Sequence, residues 1–148
     1  YMEDRPPAAI LIRILANHIK RNLDNTASQG PLKNLTGTQI QIIGYIRHAG
    51  TRDVFQKDIE TKFSIRRSTA TGILQLMEKN DLIIREPVDY DARLKKILLT
   101  EKALAVSRQA KRNVSDLDKH LTKDIPAEEL EAVRSVLWKM LNNLEKMT

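Results

Sequence analysis

Residues 64–100 read SIRRSTATGILQLMEKNDLIIREPVDYDARLKKILLT, and this stretch decides how the chain folds. Its first part, residues 65–80, predicts a helix with two unlike sides. At a turn of about 100° per residue, Thr69, Ala70, Ile73, Leu74, Leu76 and Met77 share one broad aliphatic side. Arg67, Ser68, Thr71, Gly72 and Gln75 fall on the other. That side carries hydrogen-bond donors in place of the Glu/Lys mixture of an ordinary solvated helix. The second part predicts two strands, 82–85 and 95–99, joined by a loop rich in turn formers with Asp91 and Arg93 at its tip. A helix sized for the DNA major groove, running into a basic-tipped two-stranded wing, is the pattern of a winged helix-turn-helix.

Working outward, each neighbouring segment fits that frame. Thr36-Gly37-Thr38-Gln39 forms a capping box that opens a helix ending near Gly50, with Ile42, Ile43 and Ile46 as its core side. A short extended piece, 53–55, precedes a helix over 56–63 anchored by Ile59 and Phe63. Before these, a first helix begins near Pro6 and Pro7, since proline suits a first turn whose N–H groups have no partner. It presents Leu11, Ile14, Leu15 and Ile19 on one face, with His18 among them, and fades in the polar stretch 24–30. After the wing, Thr100 caps a long helix with Ala103, Val106, Ala110, Val114, Leu117 and Leu121 spaced by three and four. A last helix begins at Pro126, with Glu128, Glu129 and Glu131 where the helix dipole favours acids. Leu130, Val133, Leu137, Met140, Leu144 and Met147 make its apolar seam. The expected architecture is mainly α with a small β wing: a winged helix-turn-helix over 35–100, and terminal helices over 6–30 and 100–147 that dimerise.

Composition narrows the partners. The net charge is +6, and residues 31–100 hold 12 Lys/Arg against 8 Asp/Glu, so most of the excess lies on the suspected DNA-binding segment. A polyanion fits such a surface. The absence of cysteine excludes disulfides, thiolate zinc sites and cysteine redox switches. No apolar run approaches the ~18 residues of a membrane span, and no signal-peptide pattern opens the chain, so a cytoplasmic protein is expected. Tyr1 ahead of Met2 is set aside as an appended residue. Catalysis finds no support. His18, His48 and His120 lack metal-ligand spacing, and there is no Gly-rich phosphate loop or nucleophile motif, so neither catalytic residues, metal nor cofactor is expected.

The candidate DNA contacts follow from chemistry. Arg66 and Arg67 open the recognition helix, and an arginine there can grip a guanine edge bidentately. The hydroxyls of Ser68 and Thr71 read bases or phosphates, and Gln75 can pair with adenine. Gly72 removes a side chain where helix and DNA approach. On the wing, Arg93 can enter the minor groove, with Asp91 holding its guanidinium. Lys95 reaches phosphate or protects the strand edge. A plainer account has the Ser and Thr facing water and Asp91 only shaping the turn. The terminal helices look too apolar for a small domain to bury alone, which favours a symmetric dimer matched to paired half-sites.

These residues together resemble the MarR family of bacterial transcriptional regulators over nearly the whole chain. Leu35-Thr36-x-x-Gln39 is similar to that family's second-helix opening, Arg67-Ser68-Thr69-Ala70-Thr71 to its recognition-helix start, and Leu82-Ile83-Ile84-Arg85 to its first wing strand. Asp91-Ala92-Arg93 and Leu99-Thr100-Glu101-Lys102 resemble the wing tip and the start of the dimerisation helix. The resemblance implies a dimer on a pseudo-palindromic operator, usually a repressor, and in many members a small-molecule effector that weakens DNA binding. Asn80-Asp81 stand where the family usually has glycine, and both tolerate the left-handed conformation. Gly72 occupies a position that is basic in many members. The alternative of another class is a winged-helix protein–protein interaction module without specific DNA binding. An RNA-binding winged helix lacks an aromatic stacking platform here.

Overall fold

The computed structural model describes residues 5–147, and Tyr1 lies outside the described residues. Six α-helices and one hairpin follow in the order α1 (Ala8–Ala27), α2 (Gly37–His48), α3 (Gln56–Phe63), α4 (Arg67–Lys79), β1 (Ile83–Val88), β2 (Asp91–Leu99), α5 (Glu101–Leu121) and α6 (Ala127–Glu145), with a 3₁₀ turn at Gly30–Leu32. The fold is mainly helical with a two-stranded antiparallel wing, as the sequence pattern predicts. Two compact units divide inside α5, one through Val114 and the other from Ser115 onward.

The first unit is built around α2. Its capping box closes in both directions: Thr36 Oγ1 accepts from the Gln39 N–H at 3.2 Å, and Gln39 Oε1 accepts from the Thr36 N–H at 3.0 Å. Gln39 is therefore tolerated at 3% exposure. Ile42, Ile43 and Ile46 then point into one cluster with Ile59 of α3, and with Leu74 and Met77 of α4. The base of the wing closes the cluster through Leu82, Ile83 and Ile97, and α5 adds Ala103 and Val106. Each such aliphatic side chain contributes roughly 1.5–3 kcal/mol on burial, which holds α4 and the wing on one scaffold. Phe63 is only half-buried; its ring meets Tyr45 edge-on at 6.1 Å. The extended piece before α3 is joined to the wing by a backbone bond, from the Ile97 N–H to the Val54 carbonyl at 2.7 Å.

The first helix keeps its expected limits, with Pro7 as its N-cap and its end at Ala27 inside the polar stretch 24–30. Other placements differ from expectation. Thr69 and Leu76, placed on the buried side of the recognition helix, are exposed; the buried stripe is Ala70, Leu74 and Met77. The stripe is narrow because α4 packs on one side only. Both strands extend beyond their predicted ends, so the hairpin turns at Asp89–Tyr90 and Asp91 already belongs to β2. Register runs from Ile83↔Leu99 to Pro87↔Lys95 and then jumps to Val88↔Asp91. Ala92, Arg93 and Leu94 consequently bulge from the ladder, so Arg93 lies on a bulge behind the tip and not at it.

The helices outside this core keep their apolar faces uncovered. Neither α1 nor α6 has a buried residue. Leu11, Ile14 and Leu15 of α1 are exposed, as are Val133, Leu137, Leu141 and Leu144 of α6. Among the described residues no helix is long and apolar enough to cross a membrane.

Candidate nucleic-acid interface

The turn between α3 and α4 is tight because Ser64 adopts a left-handed conformation, φ 51°. The Ile65 N–H then donates back to the Glu60 carbonyl at 3.1 Å, and Arg66 extends the chain into the next helix. The first turn of α4 has no side-chain cap and no acidic residue. It carries Arg66 and Arg67 instead, at the helix end whose dipole already favours an anion. Both arginines are exposed, with Ser68, Gly72 and Gln75 exposed beside them. A Cβ added at Gly72 would meet nothing within 4 Å, so that stretch of the helix is open.

Thr71 stands apart from this group. It is half-buried, and its hydroxyl accepts a 2.9 Å bond from the Gln56 side-chain amide. Sequence reasoning placed Thr71 on the open face and gave Gln56 no role. The two lie 15 positions apart, and no periodicity couples residues on different helices.

On the wing, Asp91 organises Arg93 through three contacts. Its Oδ1 accepts from the Arg93 backbone N–H at 2.9 Å and from Nε at 3.3 Å, while Oδ2 accepts from Nη2 at 3.5 Å. The Arg93 side chain remains 90% exposed. Its guanidinium is thus oriented while still open to a partner. Lys95 is exposed next to it, and Lys96 turns toward Asp53 at 3.9 Å.

Recognition helix and wing flank one cleft of about 500 Å³. Arg67 and Thr71 line it from α4, and Arg93 and Lys95 from β2. Lys57 of α3 and Arg85 of β1, neither picked out by sequence as a site residue, line it too. Arg66, Ser68, Gly72 and Gln75 do not. A second cavity of about 690 Å³ lies between α1, α2 and α5, with Ile19, Leu23, Leu32, Ile40, Ala110 and Val114 among its walls. The Lys20–Asp24 ion pair, 2.7 Å, stands at its edge. Among the described residues no group of three His, Cys, Asp or Glu side chains could hold a metal ion.

A helix with an open donor face, docked beside a basic two-stranded wing, makes this fold a winged helix-turn-helix. A sequence profile of the MarR family matches residues 33–94, from the approach to α2 into the wing. The transcription regulator MarR from Oenococcus oeni PSU-1 is 31% identical, with 90% of this chain and 98% of that chain covered and a TM-score of 0.63. A Staphylococcus aureus MepR variant bound to an oligodeoxyribonucleotide is 24% identical over 95% of this chain and 99% of its own, TM-score 0.69. MepR bound to ethidium bromide is 24% identical over 94% and 97%, TM-score 0.68. No curated protein matches the sequence. The chain belongs to the MarR family and is a DNA-binding transcription regulator.

Proposed function

We propose that the protein is a homodimeric, non-enzymatic repressor of the cytoplasm that binds a pseudo-palindromic operator and is released by a small-molecule effector. The observation that carries this reading is the single cationic cleft shared by α4 and the wing, which lets one duplex engage both. Arg66, Arg67, Ser68, Thr71, Gly72 and Gln75 form the major-groove face. Arg93, oriented by Asp91, enters the flanking minor groove, and Lys95 holds phosphate. Residues 35–100 serve as the DNA-binding region, and 6–30 with 100–147 as the dimerisation region. The uncovered apolar faces of α1 and α6 support the dimer, because faces of this kind in a regulator need a partner surface. MepR's oligodeoxyribonucleotide and ethidium complexes support a duplex partner and an organic effector here. The mainly apolar cavity between α1, α2 and α5 is the effector's place in this reading.

Enrichment of a random duplex pool on the purified protein tests it. The expected product is a two-half-site sequence whose affinity falls steeply with salt. Arg67→Ala should then lose roughly 1–3 kcal/mol on the enriched site and less on random DNA, as a base contact does. Enrichment of no sequence, with salt-insensitive binding, would leave a protein–protein module as the better reading.

A further inference from the structure

The last turn of α2, the loop 50–53, the base of β2 and the start of α5 wall a third cavity, of about 450 Å³. It shares no lining residue with the cleft beside α4 or with the cavity between α1, α2 and α5. Its floor is aliphatic. Ile46 and Ile97 are buried there, and Leu98, Leu99 and Leu104 are half-buried around them. No aromatic ring is among the lining residues. The three leucines leave apolar surface facing a volume inside the roughly 300–1,000 Å³ of small-molecule sites.

The rim of this cavity is cationic. Arg47 and Arg52 stand on either side of Gly50, whose φ of 60° turns the chain out of α2. Arg47 reaches across to α5, where its Nη1 donates to Ser107 Oγ at 2.8 Å. Arg52 Nη2 donates to the Tyr45 hydroxyl at 3.2 Å, with the guanidinium carbon 5.9 Å from the centre of that ring. Both guanidinium groups are thus placed by neutral partners, and each keeps its charge and most of its five donors. Lys96, the third cation, faces Asp53, the one carboxylate of the lining, at 3.9 Å. That pair offsets itself, so the two arginines set the sign of the rim.

We propose that this cavity binds a free aliphatic carboxylate, such as a medium-chain fatty acid, with its hydrocarbon on the Ile and Leu floor and its carboxylate between Arg47 and Arg52. The planar fork of arginine matches the two oxygens of a carboxylate. A floor without a ring or a polar side chain asks only for hydrocarbon, which a flexible chain supplies. A cation of the same shape meets repulsion at the rim, and a neutral alcohol forgoes the charge-assisted bonds. The site does not rest on the operator reading, because neither arginine belongs to the donor face of α4 or to the wing. Since α2, β2 and α5 all wall the cavity, its occupant bridges the base of the wing to the scaffold.

The test titrates the full chain calorimetrically with hexanoate, octanoate and decanoate, each below its micellar concentration. Burying one methylene contributes about 0.8 kcal/mol, so affinity should rise roughly fourfold for each one added until the floor is covered. Decanol and decylammonium should each bind roughly tenfold more weakly than decanoate, or worse. Arg52→Glu changes an exposed side chain and should lose roughly tenfold or more in decanoate affinity while still unfolding cooperatively in urea. Arg47→Glu combined with Arg52→Glu should reverse the preference, binding decylammonium more tightly than decanoate. Wild type that binds no decanoate, or that binds decanol equally well, overturns the proposal. So does a decanoate affinity that Arg52→Glu leaves unchanged, because the ligand then sits elsewhere. If the double variant does not fold, Arg52→Glu decides: a ratio of decanoate to decylammonium affinity equal to that of wild type overturns the site.

Discussion

The side-chain amide of Gln56, the first residue of α3, donates a 2.9 Å hydrogen bond to the hydroxyl of Thr71 on α4. With one lone pair of that hydroxyl oxygen taken, its proton and its other lone pair remain to offer outward. Gln56→Ala should leave the fold intact and weaken binding to the enriched operator by about 1 kcal/mol, the ordinary net value of such a bond. Thr71→Val should lose at least as much. Anisotropy titrations of both variants and their double should show coupling; strict additivity would mean that Gln56 acts on DNA directly and not through Thr71.

Arg93 and Asp91 make a second coupled pair, joined by the 3.3 Å contact of Nε to Oδ1. With its side chain 90% exposed, Arg93→Ala should change unfolding stability by no more than about 0.5 kcal/mol. Operator binding should nevertheless fall, and fall furthest where A·T pairs flank the half-sites and narrow the minor groove. Asp91→Ala should cost less, and the double variant less than the sum. Wild-type affinity of Arg93→Ala on every sequence tried would remove the wing from recognition.

Thr100 fastens the turn after α4 to the first turn of α5 with one hydroxyl. Its single proton is shared between the Asp81 carbonyl at 2.5 Å and the Leu82 carbonyl at 3.2 Å, while its oxygen accepts from the Ala103 N–H at 3.2 Å. Thr100→Val keeps the volume and removes all three bonds. The expected loss is about 1–2 kcal/mol of unfolding free energy, read from urea midpoints by circular dichroism. An unshifted midpoint would show that the solvent replaces these bonds at no cost.

Leu137 lies on the uncovered face of α6, and Trp138, the one tryptophan of the chain, stands beside it at 66% exposure. If the protein dimerises as proposed, Leu137→Asp should sediment as one chain at concentrations where wild type sediments as two, because a charge in an apolar seam finds no partner. Dilution of wild type should also shift the Trp138 emission as the flank of the seam becomes wet. A wild type that sediments as a stable monomer would refute the dimer.

Periodicity and end signals make most of the fold legible in the sequence. The Thr36–Gln39 capping box and the stripe of Ala70, Leu74 and Met77 are local patterns, and local patterns are what a sequence displays. The left-handed turn after α4 was readable too: Asp81 has φ 58°, in a place where Asn and Asp tolerate that conformation. What stayed hidden depends on contacts between segments. The bulge that carries Arg93 arises from pairing register across the hairpin, which turn residues alone do not set. Gln56 meets Thr71, and Arg85 lines the cleft, only because α3, α4 and β1 converge there. In sequence, Gln56 is an ordinary first-turn residue and Arg85 an ordinary strand end.

The knot at Thr100 has a mechanical consequence. One end of α5 is tied to the turn that ends the recognition helix, by Thr100 to Asp81 and by Lys102 Nζ to the Asn80 carbonyl at 2.8 Å. Farther along the same rod, Ala110 and Val114 wall the larger cavity. At a rise of 1.5 Å per residue, the two points are roughly 15–20 Å apart. No loop lies between them to take up slack. If an effector fills that cavity as proposed, a wedge against Ala110 would bear on the turn at Asn80–Asp81, and α5 would serve as a stiff crank with its handle inside the cavity.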